Sequence, residues 1–231
     1  MQLEIVKTQR LYLKVAEQIT RLVNDGEIKP GEKLPSERLL AEKLGVSRPT
    51  IRESMIALEI AGIVEIRTGS GIYITDQKPA LSIQDGGVGP YEILDARYVV
   101  ESEACAMAAK LITPDELMEL QRVIEDMEEE EKRADASERA DMNFHLIIAK
   151  ATQNSAIYAM VKWLWELRNQ SHLSQVFMER LRKEGIHPSI REHKRIVTAL
   201  AKQDPERARE AMKLHIEAAT EAATTYFDGM S

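Results

Sequence analysis

Apolar residues recur at helical spacing along most of this chain, with one short stretch of alternating residues in its first third. The first periodic segment runs from about Leu11 to Asp25, and Gly26 marks its end. From Pro90 to Phe227 every long segment has the same spacing, with breaks near residues 113–114, 134–137, 153–154, 185–188 and 204–205. The second part of the chain is therefore predicted to be an all-helical bundle of about six or seven helices.

Two short helices joined by a tight turn are predicted between residues 36 and 61. Ser36 can cap the first helix and Ser47 the second, while Gly45 supplies the backbone freedom that the turn requires. Four apolar residues of the second helix point inward, namely Ile51, Met55, Ile56 and Leu58. The arrangement indicates a helix-turn-helix, whose second helix reads the major groove of DNA with its first turn.

A β-hairpin is predicted directly after these helices. Residues 63–67 and 72–74 alternate as short strands around the turn 68–71. Gly69 at the tip carries no side chain, so the hairpin can enter a minor groove as a wing, although the same glycine also suits a turn with no ligand. We therefore predict a winged helix-turn-helix over residues 1–76, a linker rich in proline and glycine over residues 77–89, and the helical domain over residues 90–231.

The candidate DNA contacts are cationic or hydroxyl side chains around this motif. Arg48, Thr50 and Arg52 lie on the first turn of the second helix. Arg48 is predicted to read a guanine through two hydrogen bonds, Thr50 to add a hydroxyl contact, and Arg52 to anchor a phosphate or a guanine. Further candidates lie on the first helix, on the wing and in the N-terminal segment, namely Arg38, Arg67, Gly69, Lys7 and Arg10.

The net charge of the chain does not by itself favour a nucleic-acid partner. The 31 Lys and Arg residues are outnumbered by 38 Asp and Glu residues, which gives a formal charge of -7 at pH 7. Residues 1–76 are neutral overall, and the whole excess of negative charge lies after them. Binding to DNA must therefore depend on the local placement of arginines, and we expect weak, salt-sensitive binding to random sequences.

The sequence gives no signal for a membrane span or for secretion. It has no apolar run of about 18 residues, and its first residues lack the apolar core of a signal peptide, so a cytoplasmic protein is expected. Cys105 is the only cysteine and lies between Ala104 and Ala106. A buried helical thiol is predicted there in preference to a nucleophile.

One carboxylate and three imidazoles in the helical domain form a candidate metal site. Asp141 and His145 are four residues apart, so they share one face of a predicted helix. His193 and His215 lie within the apolar patterns of two later helices. A single such histidine is more often a hydrogen-bonded core residue, but the four together form a suitable ligand set for zinc, nickel or a similar divalent ion.

Two segments of the sequence resemble known domains of one protein family. The run from Leu34 to Glu53, with Leu58, Gly62 and residues 69–71, resembles the winged helix-turn-helix of the GntR family of bacterial transcription regulators. The segments around Asp141, His193 and His215 look like the metal ligands of the FCD effector domain in the FadR subfamily of that family. The resemblance implies a homodimeric regulator that binds a palindromic operator on double-stranded DNA. It also implies that a small carboxylic acid bound at the metal releases the protein from that operator.

The resemblance also assigns residues to the effector. Arg97 corresponds to an arginine that reaches the effector's carboxylate, although a salt bridge with Glu101 is the simpler role. Arg168 is a weaker effector candidate, and the preceding Trp163 and Trp165 are expected in the core. His172 and His187 have no counterpart in the ligand motif and are expected at the surface or in loops.

Residues 89–97, Phe144-His145 and residues 151–155 are similar to the hexuronate-responsive repressors of this subfamily. A sugar acid is therefore the favoured effector, with another small carboxylate such as lactate or gluconate as the alternative. A regulator that senses the metal itself is a second alternative. A metal-dependent hydrolase is a remote one, because the motif has no further general base or nucleophile beside it.

Overall fold

The computed structural model describes residues 10–76, 84–132, 139–186 and 189–227. Within these ranges the chain folds into ten helices and one two-stranded sheet. The helices are α1 Leu11–Asn24, α2 Glu37–Leu44, α3 Arg48–Ile60, α4 Pro90–Ala108, α5 Pro114–Glu130, α6 Arg139–Ala151, α7 Ser155–Gln170, α8 His172–Lys183, α9 Ile190–Ala201 and α10 Pro205–Thr225. The strands are β1 Val64–Arg67 and β2 Gly71–Ile74. The mainly helical fold class is thus confirmed, with seven helices in the described part of the chain after residue 89.

The helix-turn-helix forms where its capping residues predict it. The Ser36 hydroxyl accepts from the Leu39 backbone N–H at 3.3 Å, and the Ser47 hydroxyl accepts from the Thr50 N–H at 3.2 Å. Gly45 ends α2 with a φ of 65°, a left-handed conformation that glycine adopts without steric cost. The predicted inward residues of α3 are all buried. Strands β1 and β2 pair in antiparallel register, with Val64 opposite Ile74, and form the predicted wing.

Helices α4 to α10 form a bundle with its own core. Twenty buried residues contributed by α4, α5, α6, α9, α10 and the segments next to them pack into one cluster, which includes Cys105, Phe144, Leu120, Leu200 and Met212. Two of these helices begin at the breaks predicted near residues 113–114 and 204–205, where Thr113 and Asp204 each cap a helix whose first residue is proline. No described helix is long and apolar enough to cross a membrane.

Helix α3 lies between the two parts of the chain. All residues from Ile51 to Leu58 are buried, whereas an isolated surface helix leaves one face in water. The apolar cluster around them continues into the bundle through Tyr91, Phe177, Leu181 and Ala223. The helix-turn-helix therefore docks on the bundle through α3, the recognition helix that is predicted to read DNA.

Part of the predicted linker is ordered at this junction. The Tyr12 hydroxyl donates to the Asp85 carboxylate at 3.2 Å, and the Ser171 hydroxyl donates to the Val88 carbonyl oxygen at 2.7 Å. Residues 84–89 are thus held against both α1 and α8. The remainder of the predicted linker, residues 77–83, and the predicted break at 134–137 lie outside the described residues.

Candidate metal centre and DNA-binding surface

The four predicted ligands meet in the centre of the bundle. Asp141 and His145 come from α6, His193 from α9 and His215 from α10, and all four residues are buried. One ligand atom from each lies within 4.8 Å of the others. The closest pair is His193 Nε2 and Asp141 Oδ1, at 2.9 Å. The helices thus bring together side chains that are up to 74 residues apart in the sequence.

The rings of His193 and His215 are oriented by acceptors behind them. His193 Nδ1 lies 3.0 Å from the Ser189 carbonyl oxygen, and His215 Nδ1 lies 3.4 Å from a carboxylate oxygen of Glu192. A proton on Nδ1 satisfies each of these acceptors, so Nε2 is the nitrogen left for a ligand. Metal-binding histidines in proteins are oriented by such outer acceptors.

Glu101 holds the third histidine and the predicted effector arginine together. Its carboxylate lies 2.8 Å from Arg97 Nε and 2.6 Å from His145 Nδ1, although the latter contact lacks the alignment of a hydrogen bond. Burial alone would raise the pKa of Glu101, but the charges of Arg97 and His145 outweigh it and lower the pKa to about 2. The salt bridge expected as the simpler role of Arg97 is thus present. It also leaves Arg97 Nη2 only 3.3 Å from His145 Nε2.

The cluster is electrostatically suited to a cation. Burial opposes the ionisation of Asp141, yet hydrogen bonds with His145 and His193 hold its pKa well below the ordinary value. Burial also lowers the pKa of His215, to about 4, so this imidazole is neutral as metal binding requires. Burial lowers the pKa of His145, but the charge of Glu101 outweighs it and the pKa is raised, so a metal ion would bind this ring with release of a proton. An anionic oxygen and imidazole nitrogens are therefore presented together, away from water.

This donor set fits a divalent ion. Three imidazoles and one carboxylate are ligands that zinc and neighbouring transition metals accept, and the outer acceptors complete the arrangement. Cys105 takes no part, since its thiol is fully buried and burial raises its pKa. The prediction of a buried helical thiol is confirmed.

A chamber of about 220 Å³ opens beside the cluster. Its polar end is formed by Asp141, His215, Glu192, Arg97 and Arg168. Apolar side chains of α4, α8 and α10 cover the remaining wall, among them Ile93, Phe177, Met178, Leu181 and Ala223. The chamber has the mixed lining of a small-molecule site, with apolar walls and a few charged groups, and its volume suits a small ligand.

Trp165 fixes the two arginines of this chamber. The Cζ atoms of Arg97 and Arg168 lie 4.1 Å and 4.8 Å from its ring centroid, which is cation-π distance. Burial, helped by the nearby charge of Arg97, lowers the pKa of Arg168 to about 9. Trp165 is buried as expected, but Trp163 is 58% exposed, so its expected place in the core was wrong. Two positions apart on a helix differ by about 200° in direction, and both cannot face one core.

Most predicted DNA contacts lie at the surface of the winged helix-turn-helix. The side chains of Arg38, Arg48 and Arg67 are 79%, 59% and 53% exposed. Thr50 is half-buried, with its hydroxyl 2.8 Å from that of Ser47. Gly69 is exposed at the tip of the wing, where its φ of 74° and the open space around it suit close approach to a ligand. Each of these residues can reach a partner without a change of fold.

Arg52 is not at this surface. Its side chain is 8% exposed, and its Nε donates to Glu37 at 2.9 Å. Its Nη1 donates to the Thr224 hydroxyl of α10 at 3.0 Å, and its guanidinium lies 5.4 Å from the ring centroid of Tyr91. In this arrangement Arg52 joins the recognition helix to the bundle, and the DNA contact predicted for it would require the two parts to separate.

Of the two DNA-contact candidates in the N-terminal segment, the structure describes only Arg10. Arg10 Nε donates to Asp85 at 3.1 Å, so this cation is engaged with the linker. Lys7 lies outside the described residues, as does His187 of the second domain. His172 is exposed at the start of α8, in agreement with its expected surface position.

Several residues of the site were not predicted from the sequence. Ser189 and Glu192 orient two of the histidines, and Phe177 and Leu181 form the apolar wall. Glu192 directly precedes His193 in the sequence, and this proximity to a predicted ligand could have indicated its role. The helical spacing of apolar residues in α8, in contrast, does not distinguish residues that line the chamber from residues of the core. Glu37 also gave no signal beyond its place in the first turn of α2.

Comparison with known proteins is consistent with both halves of this description. Residues 11–74 match the gntR family of bacterial regulatory proteins, and residues 92–218 match the FCD domain. The Exu regulon transcriptional regulator of Escherichia coli (strain K12) is 33% identical over 221 residues, which cover 93% of this chain and 85% of that protein. The Uxu operon transcriptional regulator of the same strain is 36% identical over 226 residues, with coverage of 90% and 85%.

A solved structure shares the overall arrangement. A transcriptional regulator of the GntR family from Pseudomonas syringae pv. tomato str. DC3000 aligns with a TM-score of 0.50 and 22% identity, over 94% of this chain and 85% of that one. This likeness concerns the fold alone. The matched families and relatives are regulators of transcription and not enzymes. With its winged helix-turn-helix followed by an FCD domain, this chain belongs to the GntR family of bacterial transcription regulators.

Proposed function

We propose that the protein represses a catabolic operon as a homodimer, binding a palindromic operator and leaving it when a small carboxylic acid binds in the chamber beside a divalent metal ion. The observation that carries this proposal is the shared wall of two sites. Asp141 and His215 belong both to the candidate metal cluster and to the lining of the chamber, and Arg97 lies next to them. A ligand in the chamber therefore meets the metal and a cation at once.

Arg97 is the group that we assign to the effector's carboxylate. Its guanidinium is held on one side by Glu101 and on another by the Trp165 ring, so its remaining N–H donors have a fixed direction. Arg168, whose guanidinium also lies over the Trp165 ring, is the second cation that lines the chamber. We assign it to a further oxygen of the ligand.

Asp141, His145, His193 and His215 would hold the metal ion, with zinc the favoured metal and nickel or another divalent ion the alternative. When bound, such an ion supplies a positive centre that accepts carboxylate and hydroxyl oxygens. A hydroxyl next to a carboxylate completes a chelate, and a sugar acid has this pair of groups. The names of the Exu and Uxu relatives support a hexuronate. Lactate and gluconate present nearly the same group of oxygens.

On the DNA side, Arg48 is the residue that we assign to guanine recognition. Its position at the exposed first turn of α3 suits two hydrogen bonds to the major-groove edge of guanine. Thr50 adds a hydroxyl contact, Arg38 and Arg67 contact phosphates, and Gly69 brings the wing close to the minor groove. Two copies of this surface, related by a two-fold axis, would read the two halves of a palindrome.

The second copy is supported by exposed apolar residues on two packed helices of the bundle. Val99 on α4 is 65% exposed, and Met160 and Trp163 on α7 are 50% and 58% exposed. Helices α4 and α7 contact each other, so these side chains can form one surface. Large apolar residues of this kind are covered in dimers.

Thermal-shift screening of the zinc-loaded protein tests this function. A ligand that binds only the folded state at about 100 times its Kd stabilises the protein by about 2.7 kcal/mol, which raises the melting temperature by several degrees. Glucuronate, galacturonate, gluconate and lactate form the panel, and Arg97→Lys is the matched variant because it keeps the charge and loses the fork of donors. We expect a shift with at least one acid in the wild type and a smaller shift in the variant.

The two alternatives are separated by this screen together with a DNA-binding measurement. If the metal itself is the signal, no acid changes the melting temperature, and zinc alone releases the protein from an operator duplex that it selects from a randomised library. If the effector is another small carboxylate, lactate shifts the melting temperature more than either hexuronate. The proposal fails if no carboxylic acid in the panel stabilises the zinc-loaded protein or weakens operator binding.

A further inference from the structure

Glu37 occupies an unusual place between two arginines of the recognition helix. Its carboxylate contacts Arg48 Nε through one oxygen and Arg52 Nε through the other, the latter at 2.9 Å. The Glu37 side chain is 5% exposed, so water contributes little to its charge balance. A carboxylate in such a position is stable only because the two guanidiniums beside it supply the opposite charge.

The two arginines face different partners. The Arg48 side chain is 59% exposed at the first turn of α3, whereas that of Arg52 is 8% exposed and contacts the bundle. Because Glu37 occupies Arg48 at Nε, the two terminal nitrogens of that guanidinium remain free of this contact. Two terminal nitrogens are sufficient for the paired hydrogen bonds to guanine. Glu37 thus fixes the orientation of the group that we assign to base recognition.

The same chain of contacts continues to α10. Arg52 Nη1 donates to the Thr224 hydroxyl at 3.0 Å, and Ala222 and Ala223, just before Thr224, line the chamber. The Tyr91 hydroxyl donates to the Ala223 carbonyl oxygen at 3.1 Å, which holds this end of α10 against α4. A continuous path of polar contacts therefore runs from Thr224, which directly follows the wall residue Ala223, through Arg52 and Glu37 to the exposed Arg48.

We infer that Glu37 is a positioning residue for DNA recognition, and that through Arg52 it ties the orientation of Arg48 to the docking of Thr224 on the recognition helix. The inference rests on the proposed function, since it assigns a partner to the base-reading role of Arg48. It adds a physical connection between that role and the effector domain. In this connection Arg52 acts as a link inside the protein, and it contacts no base.

Operator discrimination tests the connection. The DNA is a duplex that the wild-type chain selects from a randomised library, and the measured quantity is the ratio of Kd for random DNA to Kd for the selected duplex. Glu37→Gln is expected to lower this ratio about 3- to 10-fold, because Arg48 loses its fixed orientation but keeps its charge. Thr224→Val, which keeps the shape of the side chain, is expected to lower it about 2-fold.

The double variant separates a connected path from two independent effects. If Glu37 transmits the effect of Thr224, the double variant has the ratio of Glu37→Gln alone, because the path is already broken. Thr225→Val is the matched control, since this neighbouring hydroxyl is exposed and donates to the Ala222 carbonyl oxygen. It should leave the ratio unchanged. Single effects that multiply in the double variant overturn the inference.

A measurement without DNA keeps the inference testable if Glu37→Gln does not fold. The Arg48 Nε–H resonance is identified by its loss in Arg48→Ala. We expect Thr224→Val to shift it and Thr225→Val to leave it in place. Equal spectra for both variants contradict the connection. If the wild type selects no sequence from the library, the proposed function fails, whereas the resonance still reports on the connection.

Discussion

The candidate metal cluster and the proposed DNA-reading surface differ in burial and in how far apart their residues lie in the sequence. The four candidate ligands are buried, come from three helices, and are oriented by neighbours that are themselves buried or partly buried. The arginines that we assign to DNA, Arg38, Arg48 and Arg67, are exposed and come from a run of 30 residues, counted from Arg38 to Arg67. A cation site needs fixed geometry and exclusion of water, while a reading surface must adapt to the edge of a duplex. The difference in burial follows from the difference in partner.

Helix α3 combines an exposed first turn with a buried remainder. Its first turn carries the exposed Arg48, and from Ile51 to Leu58 every residue is buried. Arg52 and Glu53 are polar, yet they make their contacts inside the protein, with Thr224 and with the backbone N–H of Glu92. The bundle therefore docks on residues within one turn of Arg48 and Thr50, to which we assign the DNA contacts.

The largest effect on the candidate metal cluster is expected when one of its metal-binding side chains is removed. His193→Ala takes away a residue with 0% exposure whose Nε2 contacts Asp141. Loss of an outer partner alone costs 10- to 100-fold in metal affinity, so loss of a direct ligand should cost more than about 100-fold. Metal content after dialysis, measured by plasma mass spectrometry, checks this result. His172→Ala is the control, and equal zinc content in both variants would remove His193 from the ligand set.

A smaller change tests whether Glu101, which contacts His145 and Arg97, contributes to metal affinity. Glu101→Gln keeps the size of the side chain but removes the charge that holds His145 and Arg97. We expect a loss of about 10- to 100-fold in zinc affinity, measured by competition with a chelator. Glu103→Gln is the matched control, because Glu103 is exposed and pairs only at the surface with Arg209. Similar zinc affinity for both variants would show that the support of Glu101 is dispensable.

Replacement of Arg48 tests the proposed DNA-reading surface. Arg48→Ala should cost about 1 to 3 kcal/mol of discrimination between the selected operator and random DNA, with little change in the melting temperature. Competition binding at constant salt measures this cost. Arg122→Ala on the exposed face of α5 is the control for the loss of one positive charge. If both DNA sequences lose affinity equally, Arg48 contacts phosphate and not a base.

The pH dependence of stability tests the junction between the two regions. Burial raises the pKa of Glu53 from 4.5 to about 8, against the opposing backbone hydrogen bonds from Glu92 and Tyr91. The folded state then holds a proton that the unfolded state releases, so stability falls as pH rises through this interval. Glu53→Gln should remove this fall and raise the free energy of unfolding by about 1 kcal/mol or more above pH 8.

Thermal melts of the wild type and of this variant at pH 5 and pH 8.5 measure the effect. The two proteins should differ little at the lower pH, because Glu53 is protonated there in the folded chain. Glu92 and Asp95 also face this carboxyl group and contribute to its shift, so Asp95→Asn serves as a second variant with a smaller effect of the same sign. A difference that does not change with pH would contradict a buried, protonated Glu53.

Much of the reading half could be predicted because its determinants are local. Ser36, Gly45 and Ser47 act on the backbone within three residues, and the period of Ile51, Met55 and Leu58 fixes the inward face of α3. Hydrogen bonds of this range are already encoded in the sequence. The wing formed for the same reason, since its strands are joined by a turn of three residues, 68–70. The sequence by itself thus determined the elements of this half and most of its exposed residues, with Arg52 as the exception.

Only the tertiary structure decided which faces meet across the chain. The sequence pattern predicted Arg52 at the DNA and Trp163 in the core, and the fold placed Arg52 against Thr224 and left Trp163 exposed. The roles of Glu37, Glu101 and of the apolar wall of α8 also depend on contacts between residues far apart in the sequence. Helical periodicity gives the direction of a side chain relative to its own axis. The partner in that direction is set by the packing of whole helices, which no local pattern contains.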